Sequence, residues 1–270
     1  MWTAAKISTE ELKAKARKVV RLDGKQILLI ASGREIFAIA NRCPHEGYPL
    51  SEGTEGPDCV LTCNWHNWKF DLKTGAALVG RDPVRTYAVE IREGEIFLDL
   101  TDPPAEIMKQ RALNGLDAAL ADNDRPRMAR EVARLVVAGF DARIALIHAL
   151  TSRNDRFEYG MTHAHGAAAD WFALAERAPS DEARFAAQLE PLGHLAWDTL
   201  GAGEYPYAEG VAAWDETEFL HAMEAEDEAA ALARIRGALW ESLPYARLRP
   251  TLAASALSHY ADFGQHDLHA

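Results

Sequence analysis

The sequence predicts two domains: an all-β antiparallel sandwich or small barrel over residues 1–103, and an all-α domain over residues 104–270. Three observations predict it. Short apolar runs separated by glycine-containing turns fill the first part. Thr101-Asp102-Pro103-Pro104 then interrupts the chain, because proline ends strands and can open a helix. Beyond it, Ala, Leu, Arg and Glu recur at helical spacing. The charge is unequal as well: residues 1–105 hold 14 Lys+Arg and 15 Asp+Glu, and residues 106–270 hold 15 and 26.

In chain order, Thr9–Arg17 reads as one short helix. Lys18–Leu22, Gln26–Ile30, Glu35–Ile39, Thr86–Ile91 and Glu95–Leu100 read as strands, with Asp23-Gly24, Ser32-Gly33 and Glu93-Gly94 as the turns. Past the boundary, Arg127–Ala149 carries apolar residues close to the i, i+3, i+4, i+7 template, and further helices are expected around 106–121, 161–177, 181–200, 216–239 and 249–268. Ser180 before Asp181-Glu182 and Asp215 before Glu216-Thr217-Glu218 are N-cap signals. The expected total is about seven helices, good to one or two.

Two loops carry the clearest chemistry. Cys43-Pro44-His45 and Cys63-Asn64-Trp65-His66 each pair a thiol with an imidazole, and seventeen residues separate them. Each spacing presents both side chains of its loop together, but neither loop supplies enough ligands alone, so the intervening segment must fold back. Two Cys and two His suit a [2Fe–2S] cluster with the cysteines on one iron and the histidines on the other. A structural zinc ion accepts the same donors, although zinc pairs more often run Cys-Cys then His-His. A Cys43–Cys63 disulfide is the third reading. The third cysteine, Cys59, is expected as a small buried strand residue in Cys59-Val60-Leu61.

Arg42-Cys43-Pro44-His45-Glu46-Gly47-Tyr48-Pro49-Leu50 and Cys63-Asn64-Trp65-His66-Asn67-Trp68-Lys69-Phe70-Asp71-Leu72-Lys73-Thr74-Gly75 resemble the cluster loops of Rieske ferredoxins and of Rieske domains in ring-hydroxylating oxygenases. The resemblance spans roughly residues 1–103, with Gly80-Arg81-Asp82-Pro83 as its late loop. It implies a [2Fe–2S] cofactor held by Cys43, His45, Cys63 and His66, and one-electron chemistry. Asn64 stands where that family usually has Pro, and Asn67 where it usually has Gly; Asn is among the few other residues that visit positive φ. Neither loop has the extra cysteine of the high-potential subtype, so the implied potential lies low in the Rieske range, at about −150 mV. Trp65 and Trp68 are expected to shield the cluster, and Trp68 equally to be core.

The helical half holds eight of the ten histidines. His259, Asp262, His266 and His269 share one helix face, Glu190, His194 and Asp198 follow i, i+4, i+8, His163 and Asp170 are i, i+7, and Glu218-x-x-His221 is one Glu-x-x-His step. One reading is a second site, non-haem iron or another divalent metal, at His163, His194, His259 and His266, in an apolar pocket with Tyr159, Trp171, Trp197, Tyr260 and Phe263. The other is a set of separate histidines, each satisfied by its own neighbours; the bundle di-iron pattern needs two Glu-x-x-His steps, and here there is one. The Asp-x-x-His-x(4 or 5)-His run of ring-hydroxylating oxygenases is absent between 106 and 270. Tyr159–His165 and Ser258–His266 faintly resemble questin-oxidase-like proteins.

No flavin or nicotinamide motif is visible: Gly201-Ala202-Gly203 lacks the third glycine of the dinucleotide fingerprint. Electrons are therefore expected from a separate reductase. The expected function is an oxidoreductase, oxygenase-like, whose cluster passes single electrons to a metal or a small organic substrate in the helical domain. The alternative is a stand-alone carrier whose helical domain docks a partner or forms a homo-oligomer. The acidic balance argues against nucleic acid. No segment reads as a signal peptide or membrane span, which gives a cytoplasmic expectation.

Overall fold

The computed structural model describes residues 2–157 and 163–263, the last five of these as backbone. The chain forms two compact units that divide between Asp102 and Pro103.

The first unit contains three antiparallel sheets. One has the order β1 (Trp2–Ser8), β10 (Glu95–Asp99), β9 (Val89–Arg92), and the second is β2 (Arg17–Leu22), β3 (Lys25–Ser32), β4 (Glu35–Ala40). The third is β5 (Thr54–Gly56), β6 (Val60–Thr62), β7 (Lys69–Asp71), β8 (Ala77–Val79). β3 is a wall with a core on each side. Successive side chains of a strand point to opposite faces. Ile27 and Leu29 enter a core with Ile7, Leu12, Ile96 and Leu98. Leu28 and Ile30 enter another with Phe37, Ile39, Leu61, Phe70, Cys43 and Cys63. The register Leu28↔Ile39 and Leu29↔Ala38 gives β4 the same division. A strand buried on both faces reads as an unbroken apolar run, which is what Ile27-Leu28-Leu29-Ile30 is.

Several expectations shift here. Helix α1 covers Thr9–Lys15, because Ala16 at φ 60 turns the chain and Arg17 already belongs to β2. The expected strand Thr86–Ile91 begins only at Val89, while Thr86 makes a single bridge to Ile39. Cys59 is not a buried strand residue. It ends a 3-10 turn at φ 60, half-buried, one residue before β6. The strands β1, β5, β7 and β8 have no counterpart among the predicted runs, and β6 takes up Val60-Leu61 of the expected Cys59-Val60-Leu61. β1 contains low-propensity alanines; it pairs with β10 at Trp2–Ala4 and Ser8, and Ala5 and Ile7 between them enter the core with Ile96 and Leu98. β5–β8 are only three residues each.

The second unit is helical: α2 (Ala105–Ala121), α3 (Arg125–Val137), α4 (Arg143–Ser152), α5 (His163–Gly166), α6 (Ala168–Glu176), α7 (Asp181–Asp198), α8 (Glu216–Glu224), α9 (Glu228–Trp240) and α10 (Tyr245–Phe263). α2, α3, α4 and α7 share a core that includes Leu116, Leu120, Val132, Leu135, Leu146, Leu192 and Leu195. α2 and α3 approach closely at Gly115, where a Cβ would lie 2.5 Å from the carboxylate of buried Glu131; Arg127 and Arg134 pair with that carboxylate. Ser180 caps α7 by accepting from the Ala183 N–H, and Asp215 caps α8 by accepting from Glu218.

Three predicted helices are each a pair, the one expected around 161–177 being α5 and α6. The Arg127–Ala149 run breaks after Val137, where Gly139 takes φ 90. The 216–239 run breaks at Glu226, φ 55, after which the Asp227 side chain caps α9. Apolar periodicity survives such breaks because both helices face one core, so periodicity alone does not show them. None of the described helices is long and apolar enough to cross a membrane.

Candidate metal centre

Both loops close in the same way. In the first, the Cys43 N–H donates to the Tyr48 carbonyl at 2.8 Å and the Gly47 N–H to the Cys43 carbonyl at 2.8 Å. In the second, the Cys63 N–H donates to Trp68 at 2.8 Å and the Asn67 N–H to Cys63 at 2.9 Å. Each cysteine thus opens a turn whose fifth residue is left-handed, Gly47 at φ 77 and Asn67 at φ 59. Asn tolerates this region, so the turn survives without glycine.

The four candidate ligands separate by depth. Cys43 is 4% exposed and Cys63 1%, both inside the core beneath β3 and β4. His45 is half-buried and His66 is exposed. The two imidazoles meet Nδ1 to Nδ1 at 3.1 Å. Two nitrogens bound about 2.1 Å from one tetrahedral metal ion stand roughly 3.4 Å apart, so this separation matches two ligands of a single ion. A neutral imidazole offers a lone pair at one ring nitrogen, the form in which histidine ligates. On the buried side, burial pushes the Cys43 thiol up to about 11; the His45 backbone N–H pulls it down, and the neighbouring Cys63 thiol pushes it further up. Were these thiols to hold a metal, they would do so as thiolates, with the bound cation supplying the compensating charge. All three cysteines are free, so no disulfide joins the loops.

Aromatic rings fix the imidazoles. His45 stacks on Trp68 with centroids 4.8 Å apart and planes 15° from parallel. His66 stacks on Trp65 at 5.3 Å and 12°. Trp68 also packs against the core and Gly80, so it both covers a candidate ligand and belongs to the core. Gly80, at φ 112, is required there: a Cβ would lie 2.4 Å from the Trp68 ring. Trp65 is 56% exposed, and Tyr48 meets its ring edge-on at 5.2 Å.

One residue beyond the predicted set, Glu46, joins this centre, and a second, Glu52, holds Tyr48 beside it. Glu46 brings a carboxylate oxygen to 3.8 Å from His45 Nε2, and His45, Glu46 and His66 have ligand atoms that all lie within 4.8 Å of one another. Its place directly after His45 was the available signal. Glu52, in the turn after the first loop, accepts the Tyr48 hydroxyl at 2.8 Å.

Of the predicted second set, only His163 and His194 have described side chains. His163, at the start of α5, and His194, on α7, are exposed. His259 lies on the α10 backbone with its side chain outside the described residues, and His266 and Tyr159 are outside them altogether. Glu190, His194 and Asp198 form an exposed face of α7, and Trp197 beside them is exposed. His148 on α4 bonds Asp117 of α2 at 2.9 Å, and half-buried His165 meets the Leu150 carbonyl at 3.3 Å. Among the described residues of the helical unit, no three His, Cys, Asp or Glu ligand atoms gather as they do at His45, Glu46 and His66.

The sequence model of the Rieske [2Fe-2S] domain matches residues 2–88. The chain is 36% identical over 88 residues to the 3-phenylpropionate/cinnamic acid dioxygenase ferredoxin subunit of Escherichia coli (strain K12), spanning 32% of this chain and 83% of that protein. It is 31% identical over 153 residues to the terminal oxygenase component of carbazole 1,9a-dioxygenase from Sphingomonas sp, spanning 48% of this chain and 38% of that one. The solved ferredoxin of carbazole 1,9a-dioxygenase from Nocardioides aromaticivorans IC177 matches at 26% identity and a TM-score of 0.35, covering 37% of this chain and 99% of that one. Through its first unit, the chain belongs to the Rieske [2Fe–2S] family.

Proposed function

We propose that Cys43 and Cys63 hold one iron of the [2Fe–2S] cluster and His45 and His66 the other, and that the chain is a one-electron carrier reduced by a separate reductase. The bound cluster supplies reversible one-electron storage. The observation that supports this reading is the pairing of two buried thiols with two imidazoles whose Nδ1 atoms are 3.1 Å apart at the surface. The buried thiolate side keeps water from the sulfurs, and the exposed His66 edge gives a partner the shortest approach. Trp65 and Trp68 hold the imidazole planes, so a ligand ring does not have to reorient when charge moves. The three free thiols favour a reducing, cytoplasmic setting.

The test is a count of iron and acid-labile sulfide per chain together with an EPR spectrum of the reduced protein. Equal iron and sulfide, both lost in Cys63→Ala, is the expected result. A single zinc ion without sulfide overturns the reading.

A second reading gives the helical unit the electron acceptor. It is favoured by a groove of about 380 Å³ on that unit, lined by Trp171, Leu174, Ala183, Ala186 and Glu190 among others, with the Trp171 ring 6.3 Å from that of His194. In this reading a small organic substrate, or a further metal at His163, His194, His259 and His266, takes the electrons. An iron count above the sulfide count, restored to equality by His194→Ala, is the outcome it expects; equal counts in the parent chain exclude its metal version.

A further inference from the structure

The second cluster loop projects four consecutive exposed or half-buried side chains, Asn64 to Asn67, beyond its closing hydrogen bonds. The first loop is braced from below: the Leu50 and Ser51 N–H groups both donate to buried Asn41, at 3.3 Å to its carbonyl and 2.8 Å to its side chain, and Arg17 donates to the Ser51 and Gly53 carbonyls. Among the described residues, the tip of the second loop has one hydrogen-bonded attachment to another segment's backbone, and it is the side chain of Asn64. Its Nδ2 donates to the Glu52 carbonyl at 2.8 Å, and its Oδ1 accepts from the Thr54 hydroxyl at 3.0 Å.

The bond to Glu52 closes a ring of contacts beside His66. Asn64 holds Glu52, the Glu52 carboxylate accepts the Tyr48 hydroxyl, the Tyr48 ring meets the Trp65 ring, and Trp65, next in sequence to Asn64, stacks on His66. Both amide functions of Asn64 are used, the NH₂ as donor and the oxygen as acceptor. A side chain that only filled space would not need that polarity.

We propose that Asn64 is the positioning residue of the second cluster loop, fixing Trp65 and His66 through Glu52 and Thr54. The proposal rests on the reading of His66 as a cluster ligand. Asn64 touches no reacting atom; it acts by removing alternative placements of the Cys63–His66 turn. Without it, the loop keeps its two backbone bonds, but the tip samples several positions, and so does the imidazole on the iron.

The experiment uses the full-length, cluster-loaded protein. Asn64→Ala removes both bonds, Thr54→Val removes one, and Thr54→Ser keeps the hydroxyl. Three quantities are read: the width of the EPR features of the reduced cluster, the rate of cluster bleaching under excess chelator, and the midpoint of thermal unfolding. Losing two hydrogen bonds on an exposed loop corresponds to about a tenfold faster bleaching. Asn64→Ala is therefore expected to bleach about tenfold faster with broadened EPR features and an almost unchanged unfolding midpoint, Thr54→Val to show a smaller change of the same sign, and Thr54→Ser to match the parent. Unchanged EPR widths and bleaching in Asn64→Ala overturn the proposal. So does a lowered unfolding midpoint with unchanged EPR widths, since that describes a merely structural residue. If Asn64→Ala cannot be isolated, the Thr54→Val and Thr54→Ser pair decides by the same two readouts. A parent protein with no cluster signal refutes the ligand assignment itself, which is a separate outcome.

Discussion

Asn67 occupies in the second cluster loop the position that Gly47 occupies in the first. Each lies four residues after its cysteine, each donates its N–H to that cysteine's carbonyl, at 2.9 and 2.8 Å, and each is left-handed. The loops are therefore two copies of one turn, with the histidine displaced by a single residue between them. Asn67→Gly is expected to leave unfolding and cluster retention nearly unchanged. Asn67→Val places a β-branched residue at φ 59 and is expected to cost about 1–2 kcal/mol. Chemical denaturation of the two variants checks this: equal stabilities for Gly and Val at position 67 contradict the left-handed assignment.

Gly80 is the support of Trp68, and through it of His45. A Cβ there falls 2.4 Å from the indole, and the backbone stands at φ 112. Gly80→Ala is expected to displace Trp68 from the His45 ring and to destabilise the first unit by about 2 kcal/mol or more, as overpacking and backbone strain add. Near-ultraviolet circular dichroism together with thermal unfolding reports both effects. Native tryptophan signals at parental stability would show that the indole is not held by this contact.

The cluster-free chain should lose stability at alkaline pH. Burial, with Cys63 adjacent, raises the folded Cys43 thiol to about 11, above the ordinary value near 9. A group whose folded value is raised contributes fully below the unfolded value and loses that contribution as pH climbs through the folded one. The window is therefore roughly pH 9 to 11, and the loss is on the order of 2–3 kcal/mol. Denaturation of the apoprotein across this window, beside Cys43→Ser, measures it. The parent should weaken relative to the variant; parallel profiles contradict a buried, protonated thiol.

In the helical unit, His165 gives the opposite slope. Burial lowers its value from the usual 6.5, and the Leu150 carbonyl only partly offsets that. A depressed base contributes stability above its unfolded value and loses it as pH falls, so the loss begins just below pH 6.5. His165→Gln should flatten the acid limb of the stability profile below about pH 6.5. The difference between the two profiles is the measurement, and a pH-independent difference excludes a buried neutral imidazole.

By itself, the sequence determined the candidate ligand types, the two-unit organisation and the main strands. These rest on local spacing: a thiol and an imidazole within three residues, a change from period-two to helical patterning, and turn residues such as Asp23-Gly24. The apolar run Ile27–Ile30 marked a strand, and packing shows it buried on both faces. Tertiary structure decided what depends on partners distant in the chain. β1 exists because β10 pairs with it, and Arg127–Ala149 is two helices because Gly139 takes a left-handed turn that periodicity does not register. The approach of His45 to His66, the stacking of His45 on Trp68, and the tether from Asn64 to Glu52 are likewise set by the folding back of residues 46–62. For the same reason, histidines that share a face by spacing, such as His194 with Glu190 and Asp198, belong to a solvent-exposed face of α7. Spacing fixes which side of a helix a residue takes, and only packing fixes what that side meets.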